Sequence, residues 1–220
     1  MMGRRQMLAS TAACLAGSGA ARGASPLIVP FIPSLGGGPA DGFSILKTGQ
    51  GGLPNWETIP DPDRPGEFVM AQRSDDPTDY RFPLAIYNRF SAADVDVSVR
   101  FKAVEGRVDR AGGLAIRLKD ADNYYVVRAN ALEDNVNFYR VVNGHRHEIQ
   151  GASAKVSSGV WHTLSLRAEG NRFTVGFNGK TLFTAIDNTF VNPGKVALWT
   201  KADSVTWFSG LSLQDLHSGR

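Results

Sequence analysis

A chain of 220 residues, 42% of them hydrophobic, can bury a substantial core and falls in the size range of a single sandwich domain. Its formal charge of +3 and pI near 9.1 invite a nucleic-acid partner until the charges are located. Arg4, Arg5 and Arg22 fall in the first 24 positions, which hold no acid; the remaining 21 basic residues face 21 acidic ones, so the body is neutral and has no basic footprint for nucleic acid or anionic membrane.

Residues 1–24 read as an export signal, with a positive start, a mildly apolar middle and small residues before a cut between Ala20 and Ser25. Arg4-Arg5 followed by Gln6, Met7 and Leu8 is twin-arginine-like; an ordinary secretory signal that begins with two arginines is the other reading. Either sends the protein to the periplasm or outside the cell. The single cysteine, Cys14, lies inside this segment with Thr11 where a lipoprotein signal wants an apolar residue. The mature chain therefore has no disulfide and relies on its core. No later run approaches the roughly 20 apolar residues of a membrane-spanning helix.

Ser25–Ala40, with four prolines and Gly36-Gly37-Gly38, reads as a linker or an edge-lying lead-in, and the domain is expected over 41–215. The three glycines precede a proline rather than a strand-to-helix turn, so they are no phosphate loop. From Gly49 to Tyr80 the chain is rich in loops, with Trp56 expected in the core. After Pro83 the period becomes two. In Asp94–Ala103, Val95, Val97, Val99 and Phe101 face one way and Asp96, Ser98, Arg100 and Lys102 the other.

Gly112–Leu118 repeats the rule, with Leu114, Ile116 and Leu118 inward and Ala115 and Arg117 outward. Tyr124–Asn130 and Asn135–Val142 follow, and the Asn143-Gly144 pair marks a hairpin turn. Trp161–Ala168, Phe173–Phe177, Thr181–Ile186, Gly194–Thr200 and Val205–Leu213 complete about eleven strands with no convincing helix. This is an all-β chain, an antiparallel β-sandwich or barrel.

Chemistry concentrates in Asp122–Gly144. Arg128, Asn130, Glu133, Asn135 and Tyr139 supply guanidinium, amide, carboxylate and ring, the groups that grip sugar hydroxyls and a flat pyranose face; a solvated face with internal ion pairs such as Arg128–Glu133 is the plainer reading. Trp199, out of phase with Val196 and Leu198, points away from the inter-sheet core and leads into a second polar cluster with Lys201 and Asp203. Glycoside hydrolysis needs two carboxylates flanking one bond. Glu133 with Asp203 is the pair to consider, although no catalytic motif marks them. His145 and His147 have metal-compatible spacing but no third ligand in view, so no metal is assigned.

The run Gly112-Gly113-Leu114-Ala115-Ile116-Arg117, Asp122-Asn123-Tyr124-Tyr125, Arg128–Val136, Tyr139, Val142-Asn143-Gly144, Trp161-His162-Thr163-Leu164, Phe177-Asn178-Gly179-Lys180 and Gly194–Ser204 resembles the 3-keto-disaccharide hydrolase-like family of the concanavalin A and laminin-G type jelly rolls. The resemblance spans Asp41 to Leu213 and implies a concanavalin A-like jelly roll whose concave sheet binds saccharide. It places Arg117, Arg128, Asn130, Glu133, Asn135, Tyr139, Trp199, Lys201 and Asp203 near that face. The ExDxxE strand of laminarinase-type glycoside hydrolases is absent. Such jelly rolls often hold a structural calcium; Asp41 could supply an early ligand, but Phe208-Ser209-Gly210 lacks the late carboxylate, so no cofactor is assigned. The reading is an exported saccharide-binding protein, with a hydrolase of (3-keto-)disaccharides or related glycosides and an envelope protein-interaction module as alternatives.

Overall fold

The computed structural model describes residues 25–217, and all of their regular structure is strand. In chain order the strands are β1 Leu27–Val29, β2 Phe43–Gly49, β3 Trp56–Pro60, β4 Phe68–Gln72, β5 Arg81–Ala92, β6 Val95–Glu105, β7 Ala111–Asp120 and β8 Asn123–Asn130. There follow β9 Asn135–Val142, β10 His145–Ser153, β11 Trp161–Glu169, β12 Arg172–Phe177, β13 Lys180–Ile186, β14 Gly194–Trp199 and β15 Val205–Asp215. They form two antiparallel sheets. The first runs β13–β12–β11–β6–β15–β4–β3, and the second β10–β9–β8–β7–β14–β5–β2. The chain is an antiparallel sandwich, one of the two architectures that the strand pattern allows, with the jelly-roll form that the resemblance implies.

The first sheet obeys strict alternation. Val95, Val97, Val99, Phe101 and Ala103 of β6 are buried while the residues between them are partly exposed, and β11 repeats this with His162, Leu164, Leu166 and Ala168. The inward set meets Leu114, Ile116, Tyr125, Val127 and Phe138 of the second sheet in one continuous core. Trp56 joins it as expected, its ring 5.8 Å from that of Phe208.

The 25–40 stretch is more than a linker. Leu27–Val29 pairs with Leu211–Leu213, taking over the edge of β15 beyond Thr206–Phe208, where β4 pairs. Val29 and Phe31 are buried, and the Asp41 amide donates to Ile32 O at 2.9 Å. Its prolines mark an edge strand, which tolerates missing donors, and the folded body begins near Leu27 rather than Asp41.

The middle strands of the second sheet, β5, β7, β8, β9 and β14, are buried on both faces. Their outer face carries a separate cluster that includes Phe82, Leu84, Tyr124, Val126, Tyr139, Val141 and Trp199. The sheet curls to cover it: the Tyr80 hydroxyl donates to Gly144 O (2.8 Å) and accepts from the Arg146 amide (2.9 Å), joining the β9–β10 turn to the start of β5, five strands away in the sheet order. This face is concave. The Gly112-Gly113 pair lies where both faces are crowded: a Cβ on Gly112 would stand 2.6 Å from Phe101 Cδ2, and one on Gly113 would stand 2.7 Å from Val127 O and 3.2 Å from Trp199 Cε3.

Two buried arginines tie loops to opposite ends of this sheet. Arg81, fully buried, donates to Gly52 O (3.0 Å), Leu53 O (3.0 Å), Ala202 O (2.9 Å) and Ser74 Oγ (2.9 Å). Arg117 donates to Ala93 O (2.7 Å), Phe190 O (2.7 Å) and Gly170 O (2.6 Å), with Asp94 at 3.3 Å. Main-chain carbonyls of irregular segments cannot pair with a strand, and each guanidinium offers five donors in a fixed fork. Arg81→Met should leave the buried Ala202 carbonyl without its donor and give the Gly52 and Leu53 carbonyls to water, lowering stability by about 1–3 kcal/mol, the cost of an unsatisfied buried polar group. Thermal unfolding followed by circular dichroism checks this; an unchanged midpoint would show that the loops hold without it.

Candidate functional site

The β8–β9 hairpin turns at Ala131–Asp134, where Asp134 takes a φ of 50° and the Asn130 side chain accepts from the Leu132 amide at 2.8 Å. That local turn aims Arg128 and Asn130 from β8, and Asn135, Asn137 and Tyr139 from β9, onto the concave face. Arg128, 3% exposed, donates to Asn135 Oδ1, to Glu133 Oε2 at 2.7 Å and to the Tyr139 hydroxyl at 3.1 Å. Asn135 Nδ2 also reaches Glu133 Oε2 at 3.0 Å. Asn137 Nδ2 donates to Tyr139 Oη and to Glu148 Oε2, both at 3.0 Å. A buried guanidinium thus fixes a carboxylate whose own side chain is 47% exposed.

A second set adjoins the first. Asn130 Nδ2 donates to Asp109 Oδ1 at 2.9 Å, and Lys201 lies 3.0 Å from Asp109 and 2.5 Å from Asp79. Burial pushes the Asp109 carboxyl up, against the pull of Lys201 and Arg128. Glu133 goes the other way: partial burial opposes ionisation, yet Arg128 and the Asn135 amide hold it below the usual range. Two neighbouring carboxyls are driven apart by their surroundings.

Of the residues expected near this face, Arg128, Asn130, Glu133, Asn135, Tyr139 and Lys201 are in the two sets. Three are elsewhere. Arg117 has a φ of 47° at the register shift between Ile116 and Asp120, a bulge that turns its side chain to the end of the inter-sheet space, 5.1 Å from the Phe173 ring. The same shift puts Leu118 in the concave cluster instead of the inter-sheet core. Trp199 points away from the inter-sheet core but is fully buried, stacked on Phe82 at 5.3 Å with its Nε1 3.3 Å from Tyr124 Oη. It is floor, not platform. Arg146 roofs it, its guanidinium 4.5 Å from the Tyr139 ring centroid, 5.0 Å from Phe82 and 5.9 Å from Trp199.

Asp203 spends both carboxylate oxygens on main-chain amides, Arg107 at 2.6 Å, Asp109 at 2.9 Å and Val108 at 3.1 Å. It lines a hollow of about 570 Å³ with Asp75, Glu105, Arg107 and Arg110, which does not include Glu133. His145 and His147 are exposed, Asp41 pairs with Arg89 at 2.8 Å, and among the described residues no group of three His, Cys, Asp or Glu is arranged to hold a metal.

Sequence reasoning missed Asp109, Asn137, Glu148, Arg146, Tyr80 and Asp79. Two were within reach: counting back from the Asn143-Gly144 turn pairs Arg146 with Val141 and Glu148 with Tyr139, as observed. Asp109 and Asp79 lie in loops whose destination no local pattern gives.

No protein-family model matches the chain, and no curated protein sequence matches it. Solved structures do. A carbohydrate-binding module, CBM66, from Bacillus subtilis superposes with a TM-score of 0.63 at 21% identity over 79% of this chain and 96% of that one. The Bacillus licheniformis beta-glucanase gives 0.55 at 14% over 87% and 98%, and a native glycosidic hydrolase 0.57 at 12% over 89% and 98%. These likenesses show the fold, a concanavalin A-like jelly roll.

The pH dependence of Asp203 separates a structural carboxylate from a reactive one. Burial works against its charge, but the amides of Arg107, Asp109 and Val108 outweigh it and hold its carboxyl below the ordinary value. A depressed folded pKa gives stability that is present above the unfolded value of about 3.9 and is lost as pH falls through the folded value. Asp203→Asn should therefore unfold at lower temperature than the wild type near neutrality, with the gap closing below about pH 4. A gap that stays constant down to strongly acid pH would contradict this assignment.

Proposed function

We propose that the chain is a saccharide-binding jelly roll that recognises a neutral sugar at the Glu133 end of its concave sheet. The observation that carries this is the Arg128 guanidinium, buried and shared among Glu133, Asn135 and Tyr139, which holds an exposed carboxylate in one position. A fixed carboxylate flanked by amides accepts hydroxyl protons with little ordering cost. The solvent-facing charges, Glu133, Glu148 and Asp79, are acids. The cations beside the first and last, Arg128 and Lys201, are already paired, which favours a neutral ligand over an anionic one. The nearby carbohydrate-binding module and glycosidase folds support the same reading. The export-signal reading of residues 1–24, which lie outside the described residues, places this binding in the periplasm or outside the cell as part of the proposal.

A hydrolase is the second reading, favoured by the opposite tuning of Asp109 and Glu133, the pattern of an acid and its partner base. It is also what the resemblance to 3-keto-disaccharide hydrolase-like proteins implies. Asp203, held by three amides, is no longer its acid or base; Asp109 takes that place in the proposal, though at 1% exposure it would meet a substrate only after a loop shift.

Glycan-array screening followed by calorimetry on the best ligand tests the binding reading. Arg128→Ala should weaken binding by roughly tenfold to a hundredfold, the worth of hydrogen bonds to charged groups, and Glu133→Gln by less. Unchanged affinity in both variants would move the ligand elsewhere. Turnover of a 3-keto-glycoside that disappears in Asp109→Asn while binding persists would promote the second reading.

A further inference from the structure

The outer face of the first sheet carries a feature unrelated to the concave network. Register places Trp161 of β11 beside Lys102 of β6, and Lys102 beside Trp207 of β15, a row across three adjacent strands about 10 Å wide by strand spacing. Their chain neighbours Phe101, Ala103 and Phe208 enter the core, so the row faces out. The Trp161 indole lies across two cationic side chains of β6, its centroid 4.8 Å from the Arg100 guanidinium and 5.2 Å from the Lys102 ammonium, which sits equally far from the Trp207 ring. Lys102 is thereby covered, its side chain 14% exposed. Asp63, from the β3–β4 turn, accepts from Trp161 Nε1 at 2.7 Å and from Lys102 Nζ at 2.9 Å.

Every polar atom of the indole is thus spent, its orientation is fixed from below and from the side, and what remains partly exposed is a flat apolar ring. Beside it the outward positions are Arg100 and Thr163, then Ser98 and Ser165, all partly exposed, with the Arg167–Asp96 ion pair beyond them. At Gly176 a Cβ would stand 2.3 Å from Ser165 Oγ, so the surface there is level. A partly exposed indole with its N–H spent, beside the hydroxyls of Thr163, Ser98 and Ser165, suits a flat, hydroxylated ligand. It does not suit a protein partner, because no exposed large aliphatic or phenyl side chain lies on β6, β11 or β15 to build an apolar contact.

We propose that this row is a second saccharide platform, on the side of the sandwich opposite the Arg128–Glu133 network, where Trp161 stacks on a pyranose of an extended neutral polysaccharide and the neighbouring hydroxyls and Asp63 meet its hydroxyl groups. The proposal does not rest on the concave site. The test is electrophoresis of the purified protein through gels containing hydroxyethylcellulose, with melting temperatures measured in parallel. Wild type should be retarded, and Trp161→Ala should bind about tenfold more weakly, the loss of one stacked aromatic contact. Ser165→Arg, which fills the surface beside the row with Ser98 and Gly176 rather than Arg100 or Lys102 as its cross-strand partners, should do the same, and it decides the matter if Trp161→Ala fails to fold. Arg172→Ala, an exposed change on β12 of the same sheet, should be retarded like the wild type, which separates loss at this row from a general loss of surface charge. Retardation unchanged in Ser165→Arg, retardation lost only in Arg128→Ala, or no retardation of the wild type would each overturn the proposal.

Discussion

The burial of the second sheet's middle strands on both faces is the constraint from which most of this structure follows. A sheet in a two-layer sandwich ordinarily turns one face to water and keeps polar residues there. Here the outer face holds Phe82, Leu84, Tyr124, Val126 and Trp199 at or near zero exposure, so something must cover them. No third layer exists among the described residues. The sheet covers itself, curling until the Tyr80 hydroxyl bridges to Gly144 and Arg146, and the Arg146 guanidinium closes over three aromatic rings. Cation–π contact lets a charged roof lie on an apolar floor with less desolvation loss than an ammonium would incur.

That closure determines where chemistry can sit. Since the aromatic floor is sealed, a ligand on this face meets its polar end, where β8, β9 and the loops after β6 and β14 converge. Glycines make the convergence feasible: Gly113 leaves space for Trp199, and Gly151 for Asn137, whose Oδ1 would stand 2.4 Å from an added Cβ. The carboxylates there have divided roles. Asp203 is consumed by the Arg107–Asp109 amides and anchors the β6–β7 loop, which in turn presents Asp109 to Asn130 and Lys201. Glu133 is fixed by a buried guanidinium and open to solvent. A carboxylate fixed by a buried arginine is well suited to holding hydroxyls; its depressed pKa makes it a poor proton donor.

The fold was legible where one periodicity ruled. β6 alternates so cleanly that its inward residues include all of those named from the sequence, and the Asn143-Gly144 turn sets the β9–β10 register through Glu148. It was less legible where a single residue left the pattern. Arg117 adopts a left-handed conformation that no propensity predicts for arginine, and that one bulge moved both Arg117 and Leu118 to faces opposite those expected. Tyr124–Asn130 carries apolar residues at both parities, and both faces of β8 are buried. Within the site, the local hairpin residues were readable because the turn brings them together. Asp109 and Asp79 arrive by long-range loop packing, for which sequence distance is no guide.

Trp161 shows the same limit from the other side. In the sequence it is the first residue of a strand, with nothing to separate it from a tryptophan that packs beneath a loop. Only register sets Lys102 between it and Trp207, and only the fold of the β3–β4 turn brings Asp63, nearly a hundred positions earlier, to its Nε1. A core tryptophan such as Trp199 gives its Nε1 to a buried hydroxyl and stacks on phenyl rings. Trp161 gives its Nε1 to a half-exposed carboxylate and rests on cations that are themselves anchored to the sheet. The first arrangement hides a ring. The second holds a ring at the surface, where stability alone would have been served as well by a shorter polar residue like the threonines and serines around it.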